Sequence, residues 1–243
     1  MYLSFRLRDA LPLMAAIMLI IASFMLPPYG DGAGEGVAAF SEGESVLIID
    51  PGHGGADGGA SAADGTLESG INLAVALRLR ALAGLYGVET LMTRESGEID
   101  YPEGADTLAE MKRADQRARL ELINSTPGAV LISIHQNYYP DPRPSGSQVF
   151  YAASEGSEAL AGIAHGLIAD KLCPDNRRVA APAEERIYLM REAECPAILV
   201  ECGFISNADE LAKLTSGEYQ TKLAASLLSA YLQYESAPDG MVV

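Results

Sequence analysis

The chain of 243 residues carries 33 acidic and 17 basic side chains, which gives it a formal net charge of −16 at pH 7. This charge excludes sequence-independent binding to nucleic acid, which needs lysine and arginine to displace counterions from phosphates. A hydrophobic fraction of 49% excludes wholesale disorder, and three cysteines without a CxxC spacing exclude a disulfide-stapled fold and a cysteine-built zinc finger.

The N-terminus, residues 1–26, is predicted to be a signal peptide or membrane anchor. Leu11 to Leu26 are 16 residues without a charge, and Arg6 and Arg8 precede them. Basic residues on this side predict that the N-terminus stays cytoplasmic and that the rest of the chain is exported. No A-x-A site follows the apolar run, so cleaved signal and retained anchor both stay open, and a buried core helix is the alternative.

Residues 27–45 are rich in glycine, alanine and acid, and we expect a flexible linker there. Beyond it, apolar runs and helical patterns alternate along the chain. The predicted strands are 46–50, 88–92, 129–135, 147–152, 187–190 and 197–202; the predicted helices are 68–86, 105–123, 158–172, 207–214 and 218–234. Strands separated by helices predict one α/β domain over 46–234, with helices on both faces of a sheet, followed by a tail at 235–243.

Several predicted strand ends carry side chains suited to metal binding or acid–base chemistry. The first strand ends in DPGHGG with Asp50 and His53, the third ends at His135 in SIHQN, and the last contains Glu201 in VECGF, while Glu68 opens the first helix. Ligands of open α/β sheets bind at the carboxyl ends of strands. Two imidazoles and a carboxylate are the ligand set of a hydrolytic zinc site, and a second carboxylate can accept the proton of a water molecule.

Each of these residues also has a structural interpretation. A histidine at a strand end can simply hydrogen-bond a carbonyl group, and Glu68 can be a first-turn acid favoured by the helix dipole. His165 has no partner at a useful spacing and is predicted to be structural. Glu201 is harder to explain this way, because an unpaired carboxylate in a buried strand is costly. The spacing alone does not select the ligands.

Five stretches of the sequence resemble the zinc-dependent N-acetylmuramoyl-L-alanine amidases of the bacterial cell wall. They are VLIIDPGHGGADGGA, GTLESGINLAVALRL, LMTRES, LISIHQN and AILVECGFISN, and the similarity runs from about residue 46 to 234. The resemblance implies a mixed, mostly parallel β-sheet wrapped by helices. It also implies that His53, Glu68 and His135 bind Zn²⁺ and that Glu201 is the catalytic glutamate. The substrate implied is the amide bond between N-acetylmuramic acid and L-alanine in peptidoglycan.

Three further polar residues stand in or near these stretches. Arg94 and Arg119 could support the site or contact substrate, but surface exposure or structural ion pairing is the favoured interpretation of each. Asn137 could equally orient substrate or shape a loop.

A narrower set of stretches resembles the spore-cortex branch of the family. These are GSQVFYAAS, NRR at 176–178, IYLMREAECPAILVECGFISN and EYQTKLAASLLSAYLQY. The resemblance implies an exported enzyme, anchored in the membrane or secreted to the cell wall or cortex space. It also implies a role in muramic δ-lactam formation, with an activating spore lipoprotein and a deacetylase that acts after it.

Other functions compete with this hypothesis. One is a non-catalytic peptidoglycan-binding module of the same fold, and another is an exported metallopeptidase that acts on stem peptides. A thiol hydrolase that uses Cys202 is disfavoured, because Cys202 directly follows Glu201 and the two side chains would point to opposite faces of a strand.

Overall fold

The computed structural model describes residues 45–237. The predicted signal or anchor at 1–26, nearly all of the predicted linker and the end of the tail therefore lie outside the described residues. Within 45–237, the strands are β1 (Val46–Pro51), β2 (Thr90–Met92), β3 (Ala129–Asn137), β4 (Gln148–Tyr151), β5 (Ala181–Pro182) and β6 (Ala197–Phe204). The helices there are α1 (Glu68–Leu85), α2 (Leu108–Ser125), α3 (Ser157–Leu172), α4 (Tyr188–Glu192), α5 (Ala208–Leu214) and α6 (Gly217–Ser236).

The six strands form one sheet in the order β2-β1-β3-β6-β4-β5. Strands β2, β1, β3 and β6 are parallel to one another, β4 is antiparallel to β6, and β5 pairs with β4 in parallel. The predicted α/β fold with a mixed, mostly parallel sheet is confirmed. The carboxyl ends of β1, β3 and β6 consequently lie side by side at one edge of the sheet.

Helices cover both faces of the sheet. Alternate side chains of β1 enter different clusters: Leu47 and Ile49 pack with the apolar faces of α1, α3 and α6, and Ile48 packs on the opposite side with Ile123 of α2. This two-residue alternation is the ordinary geometry of a strand. It explains why β1 is apolar at every position up to Ile49, since a strand buried on both faces has no solvated side.

The strand predicted at 187–190 is wrong, because these residues lead into helix α4. Leu189 and Met190 are adjacent in sequence, and both are buried in the cluster that contains Ile48. Neighbouring side chains of a strand would point to opposite faces, so burying both on one side requires a helical turn. The two-residue strand β5 was not predicted.

Helix α2 begins at Leu108 rather than at the predicted residue 105, and a capping box explains the shift. The Thr107 hydroxyl accepts a hydrogen bond from the Glu110 backbone N–H at 3.3 Å, and the Glu110 carboxylate accepts one from the Thr107 N–H at 2.9 Å. These bonds satisfy two backbone donors that the first turn leaves free.

Among the described residues, no helix is long and apolar enough to cross a membrane.

Candidate metal centre

The loop after β1 brings His53 to the carboxyl edge of the sheet. Its backbone φ is 61°, and within residues 45–237 it is the one non-glycine residue with a positive φ. The preceding Gly52 is required by close packing, since a Cβ there would lie 2.2 Å from the imidazole of His135. The loop therefore passes directly against the second histidine, which comes from β3.

The structure brings His53, Glu68 and His135 together. One candidate ligand atom from each lies within 4.8 Å of the other two. Glu68 Oε1 is 3.3 Å from His53 Nε2 and 2.9 Å from His135 Nδ1. Two imidazoles and one carboxylate at this spacing could hold a metal ion such as Zn²⁺ and leave a fourth position for water or substrate.

Asp57 fixes the orientation of His53. The Asp57 carboxylate accepts a hydrogen bond from His53 Nδ1 at 2.8 Å, which leaves Nε2 directed toward Glu68. Asp57 in turn accepts hydrogen bonds from the Gly59 N–H at 3.2 Å and contacts Lys112 Nζ at 3.0 Å. A carboxylate behind a ligand histidine sets the tautomer and the ring orientation that metal binding needs.

Glu68 is held by backbone and amide donors at the start of α1. Its Oε2 accepts a hydrogen bond from the Ala60 N–H at 2.8 Å, and its Oε1 accepts one from the Gln136 N–H at 3.1 Å and one from Asn72 Nδ2 at 3.3 Å. Asn72 also donates to the Gly52 carbonyl, and Gln136 Nε2 donates to Asn72 Oδ1. This buried amide network fixes the carboxylate in one position.

The charges of the cluster favour a cation among the three side chains. Burial alone would lower the pKa of His53, but the hydrogen bonds and charges of Glu68 and Asp57 outweigh burial and raise this pKa to about 9. Burial would raise the pKa of Glu68, but His135 and His53 outweigh it and hold this pKa well below its usual range. A metal ion bound here would replace the imidazole proton of His53 as the positive charge that stabilises the Glu68 carboxylate.

Glu201 lies next to the cluster on β6, paired in register with His135 of β3. Its Oε2 atom is buried and has no hydrogen-bond partner within residues 45–237. Burial raises the pKa of Glu201 to about 7, and the negative charge of Glu68 adds to this effect, while His135 and His53 oppose it. A carboxylate that exchanges a proton near neutral pH is suited to general acid–base catalysis.

Two arginines support the His53 loop from behind. Arg119 forms a buried ion pair with Asp50 at 2.7 Å, so Asp50 is part of this support. Burial would raise the pKa of Asp50, but Arg119 and the hydroxyls of Ser133 and Thr93 lower it to about 2. The structural ion pairing predicted for Arg119 is present.

Arg94 is neither exposed nor ion-paired in the described part of the chain, contrary to the favoured interpretation. Its guanidinium donates hydrogen bonds to the backbone carbonyls of Pro51, Gly52, Ser69 and Ser96. Pro51 and Gly52 directly precede His53, and Ser69 directly follows Glu68 at the start of α1, whereas Ser96 belongs to the loop of Arg94 itself. The Arg94 side chain therefore supports the site by fixing the backbone next to His53 and Glu68.

The remaining sequence candidates lie outside the cluster. His165 of helix α3 donates a hydrogen bond from Nε2 to the Arg178 carbonyl. Arg178 lies just before β5, which is at the opposite end of the strand order from β2 and β1. Cys202 is buried in the hydrophobic core, and burial raises the pKa of its thiol to about 12. A thiol in that environment is a poor nucleophile. The backbone carbonyl of Asn137, the last residue of β3, accepts a hydrogen bond from the Ile205 N–H at 2.8 Å.

Sequence reasoning missed Asn72, Gln136 and Lys112. The position of Asn72, four residues after Glu68 on one helix, was an available signal, because residues at this spacing share a helix face. The contacts of Lys112 and Gln136 join segments far apart in sequence, and no local pattern marks them.

The fold and the candidate metal centre fit a hydrolase, and comparisons with known proteins specify its family. The family model of N-acetylmuramoyl-L-alanine amidase matches residues 47–232. The chain therefore belongs to the N-acetylmuramoyl-L-alanine amidase family, and the predicted resemblance and enzyme class are confirmed.

Individual relatives agree with this assignment. The chain is 36% identical over 190 residues to a germination-specific N-acetylmuramoyl-L-alanine amidase of Bacillus subtilis, covering 78% of this chain and 79% of that protein. It is also similar to the CwlD amidase of Clostridioides difficile, solved in complex with the GerS lipoprotein, with 32% identity and a TM-score of 0.75 over 79% of this chain and 98% of that one. The amidase AmiC2 of Nostoc punctiforme matches with 28% identity and a TM-score of 0.66, over 79% of this chain and 97% of that one.

Proposed function

We propose that the protein is a zinc-dependent hydrolase of the amide bond between N-acetylmuramic acid and L-alanine in peptidoglycan. In this proposal His53, Glu68 and His135 hold the zinc ion, and Glu201 is the general base. The observation that supports it is the buried Oε2 of Glu201, unpartnered within residues 45–237, beside two histidines and a glutamate whose spacing suits a metal ion. An orphaned carboxylate oxygen at this place is costly unless it has a partner during the reaction.

Amide hydrolysis needs an activated nucleophile, charge stabilisation and a proton for the leaving nitrogen. A zinc ion supplies Lewis acidity, which makes water acidic enough to attack near neutral pH and draws charge from a carbonyl oxygen. Glu201 accepts the proton of the attacking water and then donates it to the departing amine of L-alanine. Burial raises the pKa of Glu201 above its ordinary value, and a raised pKa makes the carboxylate a better proton acceptor at the first step.

The residues around the site are placed as these roles of the metal ligands and of Glu201 require. Asp57 keeps the Nδ1 proton of His53 and directs Nε2 inward, and the donors around Glu68 keep its carboxylate anionic. The donor to the Glu68 carboxylate from β3 is the backbone N–H of Gln136, which directly follows the ligand His135. The backbone of β3 therefore helps to position both His135 and Glu68, and Glu201 comes from the adjacent strand β6.

A digest of purified peptidoglycan by the zinc-loaded full chain, read by mass spectrometry, tests the proposal. We expect intact stem peptides with free L-alanine N-termini. Shortened stem peptides would identify a metallopeptidase instead, and the absence of any product would favour a non-catalytic binding module. The Glu201→Gln variant is the control for contaminating activity.

We propose further that the enzyme acts in the spore cortex. The germination-specific relative and the lipoprotein complex of the similar amidase support this, and the N-terminal apolar segment supports export with anchoring or secretion. The amide cut would strip stem peptides so that a deacetylase can prepare muramic δ-lactam, and a spore lipoprotein would be the activating partner. A deletion strain should form cortex without δ-lactam; normal δ-lactam content would contradict the cortex role and leave the amidase chemistry standing.

A further inference from the structure

Helix α2 presents two hydrogen-bond donors at the mouth of the metal centre. A cavity of about 160 Å³ is lined by the ligands His53 and His135 and by Lys112 and Gln116. Lys112 and Gln116 are four residues apart on α2, so their side chains share one face of the helix. The Lys112 side chain is 43% exposed, which leaves its ammonium group accessible from the cavity.

Both donors have unused capacity. Lys112 Nζ contacts one carboxylate oxygen, Asp57 Oδ2 at 3.0 Å, and an ammonium group has three N–H donors. Gln116 has no side-chain hydrogen bond in the part of the chain that the structure describes. Arg119, the other cation lining the cavity, is buried and bonds Asp50, Asp115 and two backbone carbonyls. Lys112 is therefore the cavity cation that can receive a further anion.

The acidic side chains that line the cavity contact its cations. Asp50 and Asp115 share Arg119, at 2.7 and 2.9 Å, and Asp57 contacts His53 Nδ1 at 2.8 Å and Lys112 Nζ at 3.0 Å. Because Asp57 occupies one of the three N–H donors of Lys112, the remaining donors can bind a carboxylate of the substrate.

The substrate carries such a group on one side of its scissile amide. The N-acetylmuramic acid ring is neutral near that amide, because its acid is consumed in the bond. On the peptide side, a γ-linked glutamate as second stem residue carries a free α-carboxylate about 6–7 Å from the scissile carbonyl, judged from standard backbone dimensions. Lys112 and the ligand His53 both line the cavity, and both contact the Asp57 carboxylate.

We propose that Lys112, assisted by Gln116, binds the α-carboxylate of the second stem residue and so directs the stem peptide across helix α2. This inference rests on the proposed amidase function and specifies how its substrate lies. Lys112 is then a specificity-determining residue, and a stem peptide whose second residue is amidated to isoglutamine loses this ion pair.

The rival interpretation is that Lys112 only anchors Asp57 and, through it, His53. The two roles differ in what a charge-removing variant does. Loss of an Asp57 anchor weakens metal binding and slows cleavage of every substrate alike. Loss of a carboxylate contact raises KM for the acidic substrate alone and leaves the zinc content unchanged.

The test compares two muropeptides that differ only in a glutamate or an isoglutamine at the second stem position. The full chain is assayed as wild type, Lys112→Met, Lys112→Arg and the control Arg113→Met, which removes an exposed charge from the next position of the same helix. We expect Lys112→Met to raise KM for the glutamate substrate by roughly tenfold, the equivalent of one charge-assisted hydrogen bond. Its KM for the isoglutamine substrate, its kcat and its zinc content should match the control, and Lys112→Arg should restore most of the preference.

An equal loss on both substrates, or no loss on either, overturns the proposal. A second readout separates this result from failure of the amidase function: calorimetric binding of the dipeptides L-Ala-γ-D-Glu and L-Ala-D-isoglutamine to the zinc-loaded chain. If the wild type cleaves neither muropeptide, the proposed function fails. Binding of the acidic dipeptide that Lys112→Met weakens would still support the carboxylate site, and equal binding of both dipeptides would overturn it.

Discussion

Arg119 donates a hydrogen bond from Nη2 to the backbone carbonyl of His53 at 2.8 Å. Its Nη1 donates to the buried carboxylate of Asp50 at 2.7 Å and to the carbonyl of Pro51 at 2.9 Å. His53 has a φ of 61°, a conformation that costs a non-glycine residue on the order of 1–2 kcal/mol. The guanidinium therefore holds the strained His53, the proposed metal ligand, in place through the loop carbonyls on both sides of Gly52.

Replacement of Arg119 by methionine tests this role. Removing one partner of a buried ion pair leaves Asp50 uncompensated, and we expect a loss of about 3–5 kcal/mol in the free energy of unfolding. We also expect zinc affinity to fall by roughly 10- to 100-fold, the usual effect of losing support behind a ligand. Denaturant unfolding and competitive zinc titration measure the two effects.

Arg80→Met is the matched control, because Arg80 pairs with Glu95 at the surface and exposed pairs contribute about 1 kcal/mol or less. If Arg119→Met folded at low temperature and bound zinc as tightly as the control did, the proposed support of His53 would be wrong.

The ligand assignment predicts metal stoichiometry. The wild-type chain should bind about one zinc ion, as expected for a single three-ligand site, and His53→Ala and His135→Ala should each lose most of it. His165→Gln is the control, since His165 is the third histidine and lies against the Arg178 carbonyl instead. Metal content by elemental analysis decides the matter, and equal zinc in all four proteins would refute the assignment.

The two glutamates of the site should separate by function. Glu201→Gln should retain the fold and the zinc ion but lose hydrolysis by about 10²-fold or more, as expected for a missing general base. Glu68→Gln should instead reduce zinc occupancy, because it removes a charged ligand. Zinc content and turnover of a muropeptide are measured for both variants. Near wild-type turnover by Glu201→Gln would contradict the mechanism.

The sequence predicted the side chains at the carboxyl ends of the strands better than it predicted the residues that hold them in place. Strand ends carry their chemistry in local patterns such as DPGHGG and SIHQN, and parallel strands must bring those ends together. The four carbonyl contacts of Arg94 have no local signature, since its partners are backbone atoms of segments 25 to 43 residues away in three of four cases. Helix α4 was mistaken for a strand because its window was too short to show helical periodicity.

The pKa of Asp50 predicts an acid-dependent stability. Its folded-state pKa of about 2 lies below its usual value of 3.8, so the ionised form stabilises the fold. This contribution, about 2 kcal/mol, is fully present above pH 4 and is lost as the pH falls from about 4 toward 2. Unfolding free energies measured across this range should show the decline. Asp50→Asn should be less stable at pH 7 and should show a shallower decline; an identical slope would contradict the assignment.

The pKa of Glu201 predicts the acid limb of the activity profile. Below its pKa the carboxylate is protonated and cannot accept the proton of water, so kcat/KM should fall about tenfold per pH unit on the acid side. The pKa of about 7 applies to the cluster without a metal ion, and a bound cation stabilises the carboxylate and lowers that value. The limb should therefore lie at or below pH 7 in the zinc-loaded enzyme. Rates measured from pH 4 to 9 at constant zinc occupancy locate it, and the residual activity of Glu201→Gln should lack it. A limb of the same position and slope in that variant would assign the titration to another group and remove Glu201 as the base.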